Sequence, residues 1–369
     1  MYIEPFKVEI WMNEWETRCS LNLAETCVES LTIEELLKLT GQNADLNGLL
    51  DLKMTYGAIA GSERLRAAIA ALYEDPKAIT VTHGTIAANM LAHRTILSPG
   101  DHVVAVVPTY QQHYSIPDSL GAEVTLLRLR AEDRYLPDTD TLRALVRPST
   151  RLIALTNPNN PTGALIDQTG LEEIAAIARE VGAYVLCDEV YRGTDQAGQG
   201  STKSMADIYE RGLSTGSVSK AFSLAGLRLG WIAGPPDVAE AAALHRDYDT
   251  ISVGLLNDHF ATLALENADK VLARSRSITR GNLLMLKNWV ADEPRVSWVQ
   301  PNAGTTAMMR VEVPMPSRAF CIHVLEETGV MLTPGDAFDM EGYVRVGYAN
   351  NPEILAEGLA RLSEVLKAI

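Results

Sequence analysis

The sequence is poor in several features that would assign it to other protein classes. Its four cysteines (Cys19, Cys27, Cys187 and Cys321) form no CxxC pair. That excludes a zinc-finger spacing and fits reduced thiols better than a disulfide scaffold. The seven histidines show no HExxH-like spacing, so no metal site is expected. No run of about 18 apolar residues occurs, so no membrane-spanning helix is expected. Basic residues are in deficit, with 32 Lys and Arg against 47 Asp and Glu, for a net charge of −15. A chain this acidic, with its cations scattered, is not expected to bind nucleic acid. The opening stretch MYIEPFKVEIWMNEWE has no basic start leading into an apolar run, so a cytoplasmic protein is expected.

What remains is an ordinary globular composition, 47% hydrophobic and 21% charged. At 369 residues the length suggests about two domains. Through the middle, short apolar runs alternate with helical stretches. AITVTHG enters a helix near Thr85, and 102–108, 123–129, 151–158 and 184–191 read as strands. LSTGSVSK and LRLGWIAG continue that pattern, and 170–182 has helical period with Gly182 as its stop. Near-continuous apolar strands joined by helices predict an α/β fold with a mainly parallel sheet covered on both faces. From about residue 265 the texture becomes α+β, which predicts a smaller second domain. The expected division is a large domain at 41–275 and a small domain made of 1–40 and 276–369.

Six motifs carry chemistry, each with a plainer structural alternative. In SVSKAFSLAGLRLGW, Lys220 follows the hydroxyls Ser217 and Ser219, and Arg228 lies eight positions on. An amine held beside hydroxyls and a guanidinium fork suits covalent catalysis next to a phosphate. In CDEVY, Asp188 ends a buried strand and needs a cationic partner or a helix to cap. Tyr191 follows three residues later. In NPNNPTG, Asn160 sits in a turn and has an amide to donate. Gly84 and Thr85 open a helix, where free N–H groups favour an anion. Tyr110 is either a core residue or an aromatic face for stacking. Arg345, in the apolar strand YVRVGY, needs an anion, either a substrate carboxylate or a structural acid. In an open α/β sheet these strand ends converge on one ligand. Together they suit pyridoxal 5′-phosphate (PLP): Lys220 for a Schiff base, Asp188 for the pyridine nitrogen, and the Gly84 turn for phosphate.

In that order and spacing the chain resembles the class I/II aminotransferases of PLP fold type I. The resemblance runs from about Asp51 to the C-terminus. It implies a large domain built on a seven-stranded sheet, a small domain, and a homodimer with shared active sites. Its substrates would be an α-amino acid and a 2-oxo acid. Lys220 would carry the cofactor and then the migrating proton. Tyr191 and Asn160 would contact the ring hydroxyl, and Tyr110 would stack. Ser217, Ser219, Arg228, Gly84 and Thr85 would hold phosphate, and Arg345 with Asn160 would meet the substrate carboxylate. MTYGAIAGSERLRAAIA matches a family stretch that implies Tyr56 reaches the partner's phosphate.

The N-terminal segment departs from that family. Ala24 stands where glycine is usual, followed by Glu25 and Glu29, with Glu14 and Glu16 upstream. These acids are either a solvated face or a lid for a cationic substrate side chain. In this stretch and in RDYDTIS the chain is similar to capreomycidine-synthase-like cyclases, and more distantly to PLP-dependent arginine oxidases. The oxidases have a histidine where Cys27 stands here. The resemblance therefore implies an aminotransferase, with a lyase, cyclase or O2-dependent oxidase acting on an arginine-like amino acid as the alternative.

Overall fold

A computed structural model describes residues 2–42, 47–75 and 77–369. The chain opens with a helix, Lys7–Trp15, and then β1 (Leu21–Asn22). A second helix, Ile33–Thr40, starts at a capping box in which Thr32 and Glu35 satisfy each other's backbone N–H groups.

The seven strands of the large sheet are β2 (Ala78–Thr82), β3 (His102–Val107), β4 (Glu123–Arg128), β5 (Thr150–Thr156), β6 (Tyr184–Asp188), β7 (Gly212–Ser217) and β8 (Gly230–Gly234). Their order across the sheet is β2-β8-β7-β6-β5-β3-β4. Only β8 runs against its neighbours, so the sheet is mainly parallel, as the sequence predicts. β3 and β6 are buried along their whole length, which is why they read as unbroken apolar runs. The β6 strand stops at Asp188, three residues short of the expected run, because the backbone turns there, with the Arg192 N–H donating to Glu189 O.

The second layer contains β9 (Val296–Trp298), β10 (Thr306–Val311), β11 (Val330–Met331), β12 (Thr333–Pro334) and β13 (Tyr343–Gly347). Strands β12-β13-β10-β9 form a four-stranded sheet, and β1 pairs with β11. Helices Ser317–Thr328 and Pro352–Ala368 pack against this layer. Trp11 and Leu23 from the N-terminal segment are buried here with Phe320, Tyr348 and Leu359.

Leu36 and Leu37 instead pack with Leu65, Val218 and Phe260, in the core beside the large sheet. We infer that the larger unit begins near residue 31, not at 41. The long helix Ala268–Asp292 places Val271 in that core and Leu283 and Leu286 in the other, so a division at 275 falls inside one helix.

Candidate active site

The carboxyl ends of β5, β6 and β7 open into a cavity of about 330 Å³. One end is a cradle. Gly84 opens the helix Gly84–Ile96 with φ +76°, and a Cβ there would lie 2.8 Å from Arg228 Nη2. Only glycine lets the guanidinium approach this helix start, where free N–H groups point outward. Ser217, Ser219 and Thr85 line the same end. The Thr85 hydroxyl is buried without a partner among the described residues. Arg228 Nη1 reaches Ser219 Oγ at 3.5 Å.

Asp188 stands at the floor, buried at the end of β6. Its Oδ2 accepts from Asn89 Nδ2 at 2.8 Å, and its Oδ1 accepts from the backbone N–H of Val190 at 3.1 Å. Asn89 is oriented by Thr215, whose hydroxyl donates to Asn89 Oδ1 at 2.7 Å. The His113 ring lies 3.8 Å away. Asp188 therefore does more than cap a turn. It is a fixed carboxylate facing the cavity, supported from beneath.

Lys220 Nζ enters from the side, donating to Thr26 Oγ1 at 2.7 Å and Cys27 Sγ at 3.3 Å. Tyr191 is buried beside it, and burial raises the phenol's pKa. Tyr110 lines the opposite wall, its ring 4.6 Å from that of Phe6 and its hydroxyl donating to Glu9 Oε1 at 2.6 Å. Burial, with the Glu9 carboxylate adding to it, pushes that phenol far up.

Arg345 on β13 is 2% exposed. Nη1 donates to Asn160 Oδ1 at 3.1 Å, and Nη2 donates to Ala24 O and Thr333 Oγ1. These acceptors are all neutral, and Arg345 Nε has no partner among the described residues. Burial lowers the guanidinium's pKa, as expected of a cation lacking its anion.

Glu16 and Glu25 also line the cavity. Burial raises the Glu16 carboxyl, and repulsion from Glu25 and Glu9 adds to it. For Glu25, burial acts upward, but the Lys220 ammonium and the N–H groups of Thr26 and Cys27 outweigh it and hold the carboxyl down. Of the other expected acids, Glu14 and Glu29 do not line the cavity, and Glu29 Oε2 instead accepts from the Asn351 N–H. Tyr56 is also apart. It is 71% exposed, lies outside its own chain's cavity, and accepts from Ser252 Oγ through its backbone carbonyl.

Several lining residues escaped sequence reasoning. Val8, Glu9, Met12 and Asn13 follow the cavity edge from the N-terminal helix. Their spacing is helical, and that was the available signal. Thr26 and Asn89, and His113 behind Asp188, had none, because their partners are distant in sequence.

Residues 31–362 match the family described as aminotransferase class I and II, and the chain belongs to that family. Its members are PLP-dependent, and PLP is the cofactor this cavity takes. The chain is 31% identical to capreomycidine synthase from Streptomyces vinaceus, over 97% of this chain and 93% of that one. A PLP-dependent aminotransferase from Streptococcus suis superposes with a TM-score of 0.96 at 41% identity, covering 100% and 99% of the two chains. A PLP-dependent cyclase, OrfR, superposes at 0.91 with 27% identity, covering 100% and 98%.

The cavity fits the cofactor on its own evidence. The phosphate has a cradle that a Cβ would fill, a guanidinium and an unpartnered hydroxyl. The ring nitrogen has a buried carboxylate, and the aldehyde has an amine.

Proposed function

We propose that the protein is an aminotransferase that moves the amino group of an α-amino acid with a cationic side chain to a 2-oxo acid. The observation that carries this reading is Arg345, a buried guanidinium with only neutral acceptors, facing the same cavity as the Lys220 amine and, besides Asp188, the three carboxylates Glu9, Glu16 and Glu25. A substrate with a carboxylate at one end and a cation at the other balances both.

Arg345 and Asn160 bind the α-carboxylate and fix which bond at Cα faces the base. Bound PLP supplies the electron sink for the charge that develops at Cα. Asp188, oriented by Asn89 and the Val190 N–H, would pair with the protonated ring nitrogen. Gly84, Thr85, Ser217, Ser219 and Arg228 would hold the phosphate, and Tyr110 and Tyr191 would hold the ring. Lys220, once free, takes the proton from Cα and returns it one position over. Glu9, Glu16 and Glu25 meet the side-chain cation.

A second reading keeps these residues and changes the product. Two of the similar proteins are named as a capreomycidine synthase and a cyclase, which favours cyclisation or elimination on an arginine-like substrate, with O2-dependent oxidation the remaining branch. Four unpaired cysteines support a cytoplasmic setting.

Turnover of the holoenzyme with a panel of amino acids, with and without 2-oxo acids, in air and under argon, separates these readings. A strict need for an oxo acid is expected, and turnover without one moves the protein to the second reading. Glu16→Gln should raise KM for lysine- or arginine-like donors about tenfold and leave alanine unchanged, the size of a partly screened charge pair. An equal effect on both donors overturns the cationic-substrate reading.

A further inference from the structure

Three consecutive side chains converge on the Lys220 amine. Thr26 Oγ1 is 2.7 Å from Nζ, Cys27 Sγ 3.3 Å and Glu25 Oε1 3.9 Å. An ammonium has three donors, and here it finds a hydroxyl, a thiol and a carboxylate on one side. The segment is built in advance. Glu25 Oε1 accepts from the backbone N–H groups of Thr26 at 2.6 Å and Cys27 at 2.8 Å. Asn22 Oδ1 accepts from the N–H groups of Ala24 and Glu25. Thr305 and Arg345 donate to the carbonyls of Thr26 and Ala24.

We propose that Glu25, Thr26 and Cys27 form a dock that holds the Lys220 amine, protonated, between the steps in which it bonds the cofactor or carries a proton. The proposal rests on Lys220 being the cofactor lysine. Burial works against the ammonium, and Cys27, Tyr191 and Glu25 raise its pKa, the first two only where they are ionised, so that near neutral pH the opposing charge is that of Glu25. Burial also pushes the Cys27 thiol up to about 11, so near neutral pH it is an uncharged thiol. Tyr191 is likewise uncharged there, its phenol raised by burial. The other charged groups lining the cavity are Glu9, Glu16, Asp188, Arg228 and Arg345. Glu25 is the carboxylate in contact with Nζ.

A docked ammonium is no nucleophile. It must lose its proton before it attacks the cofactor or takes a proton from Cα. The dock therefore delays recapture of the cofactor and lengthens the time the substrate amine stays bonded. Glu25, Thr26 and Cys27 are positioning residues in this scheme.

The test uses the full-length chain freed of cofactor. Two rates are followed against pH: PLP capture, read by its visible band, and acylation of Lys220 by acetic anhydride, read by peptide mass. Glu25→Gln should move both midpoints down by about one unit, so that both rates rise about tenfold near neutral pH. Thr26→Val should move them the same way, and Thr26→Ser should restore the original profile. Unmoved midpoints overturn the dock, as does capture that quickens by the same factor at every pH, the mark of relieved repulsion of the phosphate. Lys220→Ala separates the two levels. Persistence of the visible band in that variant removes the cofactor-lysine assignment and the dock with it. Its loss, combined with unmoved midpoints in Glu25→Gln, removes the dock alone.

Discussion

At the scale of single residues, the site depends on what is missing at Gly84 as much as on what is present at Lys220. Gly84 combines a left-handed φ of +76° with a guanidinium 2.8 Å from where a Cβ would sit. Gly84→Ala should weaken PLP affinity about tenfold or more, by straining the turn and displacing Arg228, while the thermal midpoint of the cofactor-free chain falls only a few degrees. Fluorescence titration with PLP measures the first effect and a melting scan the second. Asp188 and Arg345 were legible in the sequence because each is a polar residue set in an apolar strand, where burial demands a partner, and Lys220 and Arg228 because of their spacing from Ser217 and Ser219. Asn89 and His113 were not legible. Asn89 bonds Asp188 from 99 positions away and His113 lies beside it from 75, and only folding brings them together.

At the scale of elements, the strands of the large sheet announced themselves because both faces are covered and the runs are apolar throughout. The N-terminal helix did not. Its nine residues include Lys7, Glu9 and Glu14, and only Val8 and Trp11 are buried, so it reads as a solvated charged stretch. Its place is fixed by distant contacts instead. Trp11 is fully buried, and its indole N–H donates to Leu332 O at 2.9 Å. Lys7 N donates to Gln111 Oε1, and Gln111 Nε2 donates to Pro5 O. Trp11→Ala should cost about 3–5 kcal/mol of stability. The same change should raise KM for the amino donor more than it lowers kcat, because the helix lines the substrate end of the cavity. Chemical denaturation and steady-state kinetics on one variant check both. A KM that stays constant detaches the helix from substrate binding.

At the scale of the whole molecule, the exposed apolar residues are not evenly spread. Met54, Tyr56 and Ile59 stand out on one segment, and Leu244, Tyr248 and Ile251 on another. The two segments meet where Ser252 Oγ donates to Tyr56 O. We propose that this face joins two copies and that Tyr56 serves the partner's phosphate cradle. Sedimentation should give twice the mass of the chain. Tyr248→Asp should shift it toward the single chain and weaken cofactor binding, and Tyr56→Phe should weaken cofactor binding without changing the mass. A monomer with full PLP affinity overturns the shared site.

The helix Ala268–Asp292 is about 37 Å of continuous hydrogen-bonded rod at 25 residues. Its first turns carry Val271 in one apolar core, and its later turns carry Leu283 and Leu286 in the other. Neither core can melt without stripping packing from a rod the other depends on. Calorimetry of the cofactor-free chain should therefore record one cooperative endotherm, with calorimetric and van't Hoff enthalpies in agreement, in place of two separable transitions.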